Sequence, residues 1–405
     1  MPDLRLSVVV VSAGRPRALA RCLTAIGQMR STRFEVIVVA DDDGLAVART
    51  LPFADRLTLL PQARENISAA RNAGIMASAG EVVGFLDDDA VPEPDWAEAL
   101  LAGFDTPEVA AVTGPVLGRN GISLQWGRMA VDSLGQDRWL QDAQMPDPGE
   151  ALKLHGTNMG FRRSVLTRTG GFDTGFRFYL DDTDLALRLA SQGLRMQYLP
   201  DAVVHHGFAA SPRRRADRVP LNLHDIGASS ALFLRKHAPM QVDAALERLV
   251  TEQRNRVLRL ARQRRLAPPE MRALMESLAA GIDEGRARDS DVPTVAPAPS
   301  RGFAPFRASL PPPMTRRDGW MHRAAALRRA AAADVDGGCP AALLLLEPTP
   351  RKHRVEFTEG GWWEQRGGLF GPSDRSAPRL QAWRFRARTA AEWARLFSGR
   401  FCHYR

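Results

Sequence analysis

In the N-terminal part of the chain, short apolar runs rich in β-branched residues alternate with segments whose apolar residues recur at helical spacing. The apolar runs predict four buried strands, at residues 6–12, 34–39, 57–60 and 81–86. Helices are predicted between them, after Pro16 and over residues 66–79. Strands and helices that alternate in this way indicate an α/β fold, with a mainly parallel sheet covered on both faces.

The pattern continues through an element at 156–163, a helix at 181–192 and a strand at 195–199, and then it changes. Residues 242–266 predict a basic amphipathic helix, and a second helix follows the Pro268-Pro269 break. Residues 341–346 form an apolar run, and the Gly/Trp-rich segment 359–370 is compatible with a hairpin. We expect a Rossmann-like α/β domain at 1–215, a helical extension at 216–290, a Pro-rich linker at 291–315 and a small α+β C-terminal module at 316–405.

Composition narrows the class of protein. The chain has 405 residues, 44% of them apolar and 25% charged, which is typical of soluble globular proteins with more than one structural unit. It has no apolar run of the roughly 18 residues that a spanning helix requires, and residues 1–4 do not resemble a signal peptide. Three scattered cysteines (Cys22, Cys339 and Cys402) form neither a disulfide framework nor a zinc motif. These features predict a cytoplasmic protein.

The net charge of +9 is carried mainly by arginine. A solvated surface accounts for such a charge, and so does binding to phosphate-bearing substrates or to an anionic membrane face. Nucleic acid is disfavoured as a partner, because the arginines are not interleaved with aromatic residues that stack on bases.

Three clusters of aspartates follow predicted strands or begin a predicted helix: Asp41-Asp42-Asp43, Asp87-Asp88-Asp89, and Asp181-Asp182 with Asp184. Carboxylates repel one another at such spacing unless a cation or hydrogen-bond donors compensate. Each cluster alone is also compatible with a turn or a helix cap. Ligands of open parallel sheets bind at the carboxyl ends of the strands, so three clusters at one edge favour a binding site there.

The segment from Leu6 to His206 resembles the family 2 glycosyltransferases of the GT-A fold. The resemblance is carried, in order, by VVVVSAGRPRALARCL, EVIVVADDDG, RENISAARNAGIMASAGEVVGFLDDDAVPEPDW and GGFDTGFRFYLDDTDLALRLASQG, followed by VVHH. It implies an inverting enzyme that takes a sugar from a nucleoside diphosphate donor.

The resemblance also implies an Asp-X-Asp motif that holds Mg²⁺ or Mn²⁺ against the donor diphosphate. Here Asp87 and Asp89 are the expected metal ligands, and Asp87 and Asp88 are also expected at the donor. A histidine after the next strand often completes the shell in this family. Both His205 and His206 stand there, and because a strand directs only one of two neighbours inward, we favour His205. A histidine that caps the strand without contacting metal is the alternative.

Asp181-Asp182 occupies the place of the family's Glu-Asp pair, whose aspartate is the general base. The resemblance therefore assigns the base to Asp182, with Asp181 where glutamate is usual. Capping of the following helix by Asp182 or Asp184 is the alternative.

By the same resemblance, the nucleotide is expected near the first two strand ends. Ala40 stands where an aspartate is common, which leaves Asp41 or Asp42 to take that role. Arg71 is also compatible with a surface ion pair. The expected donor-binding residues outside the metal motif are Ser12, Arg15, Pro16, Asp41, Asp42, Arg71 and Asn72.

The Gln/Arg-x-x-Arg-Trp motif and membrane spans of processive family members are absent, which favours transfer of a single sugar to a glycan, a lipid-linked saccharide or another hydroxyl acceptor. Three features have two interpretations each. Arg213-Arg214-Arg215 is either a phosphate clamp or a solvated loop, and Trp362-Trp363 either stacks on sugars or lies in a core. The 242–266 helix either rests on the inner membrane face, as a peripheral contact suited to a lipid-linked acceptor, or packs on the catalytic domain.

Two other classes of function remain as alternatives. A sugar-phosphate nucleotidyltransferase shares a similar sheet and acidic site, but it requires a longer Gly-rich loop than Ser12-Ala13-Gly14-Arg15. A non-catalytic binding protein on the same fold does not require the intact acidic clusters.

Overall fold

The computed structural model describes residues 4–62, 65–207, 213–215, 217–296, 299–374 and 376–396. The expectation about a signal peptide rests partly on residues 1–3, and the expectation about the cysteines rests partly on Cys402. Both lie outside these ranges.

Strands and helices alternate through the N-terminal half of the described chain. The strands are β1 (Leu6–Ser12), β2 (Phe34–Ala40), β3 (Leu57–Pro61), β4 (Val82–Asp87), β5 (Ala90–Pro92), β6 (Val109–Thr113), β7 (Val116–Leu117), β8 (Leu124–Trp126), β9 (Met129–Val131), β10 (Asp137–Trp139), β11 (Ala151–Leu152), β12 (Met159–Arg162), β13 (Arg195–Tyr198) and β14 (Val204–His206). The helices are α1 (Pro16–Ile26), α2 (Asp42–Arg49), α3 (Ile67–Ala77), α4 (Trp96–Ala102), α5 (Arg163–Thr169) and α6 (Asp181–Ser191).

A central sheet in the order β13-β6-β12-β4-β1-β2-β3 organises this half. All neighbouring strands are parallel except β12, which runs antiparallel to β4 and β6. One core cluster packs α1, α2 and α4 on one face, and a second packs α3, α5 and α6 on the other. Strands buried on both faces have near-continuous apolar sequences, which is why the runs at β1 and β2 were predictable. The α/β fold class is confirmed.

Two smaller sheets complete the domain and were not predicted. One has the order β5-β14-β7-β8, and the other has the order β10-β9-β11. Their strands have only two or three residues each, too few for an alternating pattern to be recognised. The helix α2 was also missed, because its first turn consists of the aspartates that had been assigned to a ligand site.

The helical extension consists of α7 (His224–His237), α8 (Val242–Arg262) and α9 (Pro268–Ala287). Glycines allow α7 and α9 to pack backbone against backbone: a Cβ at Gly281 would lie 2.0 Å from the carbonyl oxygen of His224. The apolar stripe of α8, including Leu246 and Val257, is buried in a cluster with residues of α7 and α9. The stripe is therefore covered by the protein's own helices. Among the described helices, none is long and apolar enough to cross a membrane.

The Pro-rich segment is docked on the α/β domain where the structure describes it. Phe306 is buried, its ring stacks on Phe34 with centroids 5.2 Å apart, and its backbone N–H donates to the Phe34 carbonyl at 2.8 Å. Arg301 pairs with the buried carboxylate of Glu35 at 2.8 Å. Phe306, an apolar residue between the prolines, and Arg301 therefore anchor this part of the Pro-rich segment on the α/β domain.

The C-terminal module consists of β15 (Thr315–Trp320), α10 (Ala324–Asp336), β16 (Ala341–Glu347), β17 (Arg354–Phe357), β18 (Trp363–Gly368) and α11 (Phe385–Arg395). Its sheet has the order β15-β16-β18-β17. The hairpin pairs β17 with β18, so it begins before the predicted segment 359–370. Trp363 is buried in a cluster that also contains Ala25 and Val91 of the α/β domain. The module therefore packs directly on the α/β domain.

Candidate functional site

The Asp87-Asp88-Asp89 motif lies where β4 ends and the chain turns into β5. β14 pairs antiparallel with β5, with His206 opposite Ala90, and this register brings the imidazole of His206 to the motif. His206 Nε2 lies 3.2 Å from Asp89 Oδ1. Asp87, Asp89 and His206 each offer one ligand atom, and these atoms lie within 4.8 Å of one another.

This donor set suits a divalent cation. Carboxylate oxygens are preferred by Mg²⁺ and Mn²⁺, and imidazole is accepted by transition metals. Two metal–ligand bonds of about 2.1 Å hold ligand atoms up to about 4.2 Å apart, so a small closure of the three side chains is sufficient. The residues present therefore fit a metal ion.

His205 lies on the opposite face of β14. Its Nε2 is 3.0 Å from Glu93 Oε1, and its ring packs edge-on against Trp363 with centroids 4.8 Å apart. The preference for His205 as the metal ligand is thus contradicted by the geometry, because successive side chains of a strand point to opposite faces and the pairing with β5 turns His206 to the motif. His205 instead contributes to the contact with the C-terminal module.

Asp88 is directed into the protein and organises the loop after β1. Its carboxylate accepts from Ser12 Oγ at 2.7 Å and pairs with Arg15 Nη2 at 2.6 Å. Burial raises the pKa of Asp88 to about 7, and the charge of Arg15 opposes the rise. Arg15 also reaches Asp89, at 3.2 Å. Asp88 and Ser12 therefore hold Arg15 at the motif and do not line the cleft beside it.

A cleft of about 340 Å³ opens beside Asp87, Asp89 and His206. Among the described residues, its charged lining comprises five arginines and four carboxylates, namely Glu65, Asp87, Asp89 and Asp225, and arginines are suited to bind a diphosphate. Arg214 lies 3.7 Å from Asp89, and Arg213 pairs with Asp225 at 2.6 Å while its guanidinium lies over the ring of Phe178. Arg15, Arg177, Arg213, Arg214 and Arg256 are the arginines of this lining.

Other residues expected at the donor lie outside the cleft lining. Asp41 caps α2 by accepting from the Gly44 N–H at 2.9 Å, and it also accepts from the Gly14 N–H at 2.6 Å. Asp42 is exposed in the first turn of α2, and Pro16 begins α1. The amide of Asn72 bonds both backbone groups of Phe172, at 2.7 and 2.9 Å. In this geometry these side chains shape loops and helix starts.

Asp181 and Asp182 begin α6 after two consecutive residues in the left-handed region, Tyr179 (φ 72°) and Leu180 (φ 66°). Non-glycine residues rarely adopt this conformation, and such strain is often found at functional sites. Here it coincides with the turn that directs the Asp182 carboxylate into a second pocket.

Arg71 joins the two acidic clusters. It pairs with the buried carboxylate of Asp181, and its Nη2 lies 3.3 Å from Asp87 Oδ1. Burial raises the pKa of Asp181 to about 6, and the charge of Arg71 opposes that rise. Arg71 is itself buried, so the alternative of a surface ion pair is wrong. Asp182 is half-buried and accepts from the Gly156 N–H at 2.8 Å and the Thr183 N–H at 2.7 Å.

The second pocket has a volume of about 300 Å³ and adjoins the first. Both are lined by Asp87 and Trp126, which therefore lie at the boundary between them. Asp137 and Lys153 face this pocket from the β9–β11 region and were not singled out from the sequence. They are isolated charged residues outside any motif, and only the folding of short strands places them beside Asp182.

A family model described as "Glycosyltransferase like family 2" matches residues 2–219. The pre-mycofactocin glycosyltransferase of Mycobacterium tuberculosis is 27% identical over 209 residues, which cover 50% of this chain and 42% of that protein. The succinoglycan biosynthesis protein ExoM of Rhizobium meliloti is 28% identical over 225 residues, which cover 51% of this chain and 68% of that protein.

Among solved structures, a mannosyltransferase from Pyrobaculum calidifontis in complex with GDP-Man and Mn²⁺ matches with a TM-score of 0.42 and 17% identity, over 70% of this chain and 87% of that one. GalNAc-T7 with UDP, GalNAc and Mn²⁺ matches with a TM-score of 0.44 and 16% identity, over 57% of this chain and 48% of that one. The family match, which covers more than half of the chain, is the finding that decides its classification. The chain belongs to glycosyltransferase family 2.

Proposed function

We propose that this chain transfers one sugar from a nucleoside diphosphate sugar to an acceptor hydroxyl, with a divalent cation and with inversion at the anomeric carbon. The observation that carries the proposal is the pair of adjoining pockets. One contains Asp87, Asp89 and His206 with several arginines, and the other contains Asp182. A single in-line displacement requires this division, in which the leaving group and the nucleophile are held on opposite sides of the reacting carbon.

On the donor side, Asp87, Asp89 and His206 would hold Mg²⁺ or Mn²⁺. A bound divalent ion neutralises the charge that develops on the departing diphosphate. Arg15 and Arg214 lie within 3.7 Å of Asp89 and are suited to hydrogen-bond phosphate oxygens beside it. Arginines are preferred in such places because the guanidinium is always charged and donates two parallel bonds.

On the acceptor side, Asp182 is the general base that removes the proton from the attacking hydroxyl. Asp181 is less suited to this role, because it is buried and already paired with Arg71. Two backbone N–H groups orient the carboxylate of Asp182, and this residue lines the pocket. A base contributes roughly 10²–10⁴-fold to such a rate.

The same arrangement supports inversion at the anomeric carbon. A single displacement requires the hydroxyl to attack from the side opposite the diphosphate, and the base and the arginines lie in separate pockets. The absence of a processivity motif from the sequence supports transfer of one sugar at each encounter.

The test is an assay of product formation with a panel of nucleoside diphosphate sugars and simple acceptors, with Mn²⁺, with Mg²⁺ or with chelator. Proton NMR of the first product gives its anomeric configuration. We expect transfer only with a divalent ion and a product of configuration opposite to the donor. Turnover of a sugar phosphate with a nucleoside triphosphate instead would favour the nucleotidyltransferase alternative.

A further inference from the structure

We propose that the second pocket, which contains Asp182, binds a neutral, hydroxyl-rich sugar unit as acceptor and excludes a phosphate or carboxylate acceptor. This inference rests on the function proposed above and specifies its acceptor. It is carried by four features of the pocket: the balance of its charges, the Asp137–Lys153 pair, a half-buried tryptophan and an unpartnered hydroxyl.

The charges of the two pockets differ. Among the described residues, the second pocket is lined by Arg71 and Lys153 as cations and by Asp87, Asp137, Asp181 and Asp182 as anions. Both cations are engaged, Arg71 by Asp181 and Lys153 by Asp137. The carboxylate of Asp182 is left facing the pocket, and it would repel a phosphate. The first cleft has five arginines against four carboxylates, so it is the better place for an anionic group.

The Asp137–Lys153 pair faces the space in front of Asp182. Lys153 Nζ pairs with Asp137 Oδ1, and their side chains are 16% and 32% exposed. The pair presents a hydrogen-bond acceptor beside a donor while its two charges offset each other. Two neighbouring sugar hydroxyls match this arrangement, since one can donate to Asp137 and the other can accept from Lys153. A phosphate at Lys153 would lie beside the carboxylate of Asp137, which would repel it.

Trp126 supplies an apolar wall at the boundary of the two pockets. It is half-buried, and its ring packs near two histidine rings, with centroids 5.7 Å from that of His155 and 5.6 Å from that of His206. His155 is buried, and burial lowers its pKa to about 4, so it remains neutral beside the indole at physiological pH. The part of the indole that lines the two pockets is a suitable surface for the apolar C–H groups of a sugar.

Thr157 provides a further polar contact. It is 1% exposed and lines the second pocket, and its hydroxyl has no hydrogen-bond partner among the described residues. A buried hydroxyl without a partner is costly, and a bound sugar hydroxyl would relieve this cost. The pocket, with a volume of about 300 Å³, is large enough to hold a sugar unit.

The test measures acceptor binding directly, by saturation-transfer NMR on the full chain with Mg²⁺ and the nucleoside diphosphate that it binds most tightly. The probes are the methyl glycosides of glucose, galactose and mannose, and geranyl phosphate as a phosphate acceptor. Calorimetry on the same samples measures nucleoside diphosphate binding. The variants are Asp137→Asn and Lys153→Gln. Asp147→Asn is the matched control, because Asp147, between β10 and β11, pairs with Arg138 at 2.9 Å without lining the pocket.

We expect at least one glycoside to bind, its affinity to fall about tenfold or more in Asp137→Asn and Lys153→Gln, and the control to bind as the wild type does. Nucleoside diphosphate binding should be unchanged in all variants. Binding of geranyl phosphate but of no glycoside would overturn the acceptor inference, and so would binding of none of these probes by a chain that binds nucleoside diphosphate. If the wild-type chain binds none of the nucleoside diphosphates, that result would instead count against the proposed function.

Discussion

The imidazole of His206 approaches the carboxylate of Asp89 to 3.2 Å between Nε2 and Oδ1. The two residues lie on segments that meet only because β14 pairs with β5. The neighbouring His205 points the other way and contacts Glu93 and Trp363. One strand thus carries the candidate metal ligand on one face and the contact with the C-terminal module on the other.

The two histidines should respond differently to substitution. In His206→Gln, we expect Mn²⁺ affinity to fall at least about tenfold, because one of three protein ligands is lost. His205→Gln is the matched control, since it changes the adjacent residue on the same strand. Electron paramagnetic resonance of free Mn²⁺ measures the Mn²⁺ affinity of each variant. Equal losses in the two variants would count against the assignment of His206.

Asp182→Asn should reduce kcat by roughly 10²–10⁴-fold, because the amide cannot accept the proton of the attacking hydroxyl. The KM for the donor should change little, since the donor binds in the other cleft. Steady-state kinetics with varied donor and fixed acceptor give both constants. Wild-type kcat in this variant would exclude Asp182 as the base.

The limits of prediction from sequence are visible at these residues. The start of α6 at Asp181 and the bounds of β1 follow from local periodicity and polar starts, and they agree with the structure. The choice between His205 and His206 does not follow from local periodicity, because it depends on how β14 pairs with β5 and β7. Asp137 reaches the site through a three-residue strand whose position depends on long-range packing.

The acidic run after β2 is easily recognised in the sequence, but its role is not. Aspartates after a strand fit a ligand site and a helix start equally well. Here Asp41 caps α2, and Asp42 lies exposed in its first turn. A carboxylate cluster is therefore ambiguous until the following segment is known to be helical.

Asp184 should make stability depend on pH in the acid range. It is buried, which favours the neutral form, but hydrogen bonds and charges from His237, Arg188 and Lys236 outweigh burial and lower its pKa to about 2. A lowered pKa in the folded state stabilises the fold above the unfolded value, and this stability is lost as pH falls from about 4 to about 2. The contribution is on the order of 2 kcal/mol. Urea unfolding across this range should show a shallower pH dependence in Asp184→Asn than in the wild type, and identical slopes would contradict the assignment.

Trp363 should anchor the C-terminal module. Its ring is 1% exposed and packs against both His205 and Phe357. Trp363→Ala should lower the free energy of unfolding by about 3–5 kcal/mol, because it removes a large buried side chain. Trp362→Ala, at a half-buried neighbour, should cost less. Chemical denaturation measures both, and equal small losses would show that the contact is not part of the core.

Metal-dependent binding of a nucleoside diphosphate at Asp87, Asp89 and His206 is the measurement on which the proposed function most directly depends. Isothermal titration of a panel of nucleoside diphosphates, with Mn²⁺ and with chelator, tests it in the wild type and in Asp89→Asn. We expect at least one nucleoside diphosphate to bind about tenfold or more tightly with Mn²⁺, and this gain to vanish in Asp89→Asn. Equal affinity with Mn²⁺ and with chelator, or a gain that survives in Asp89→Asn, would contradict a metal-assisted glycosyltransferase built on this motif.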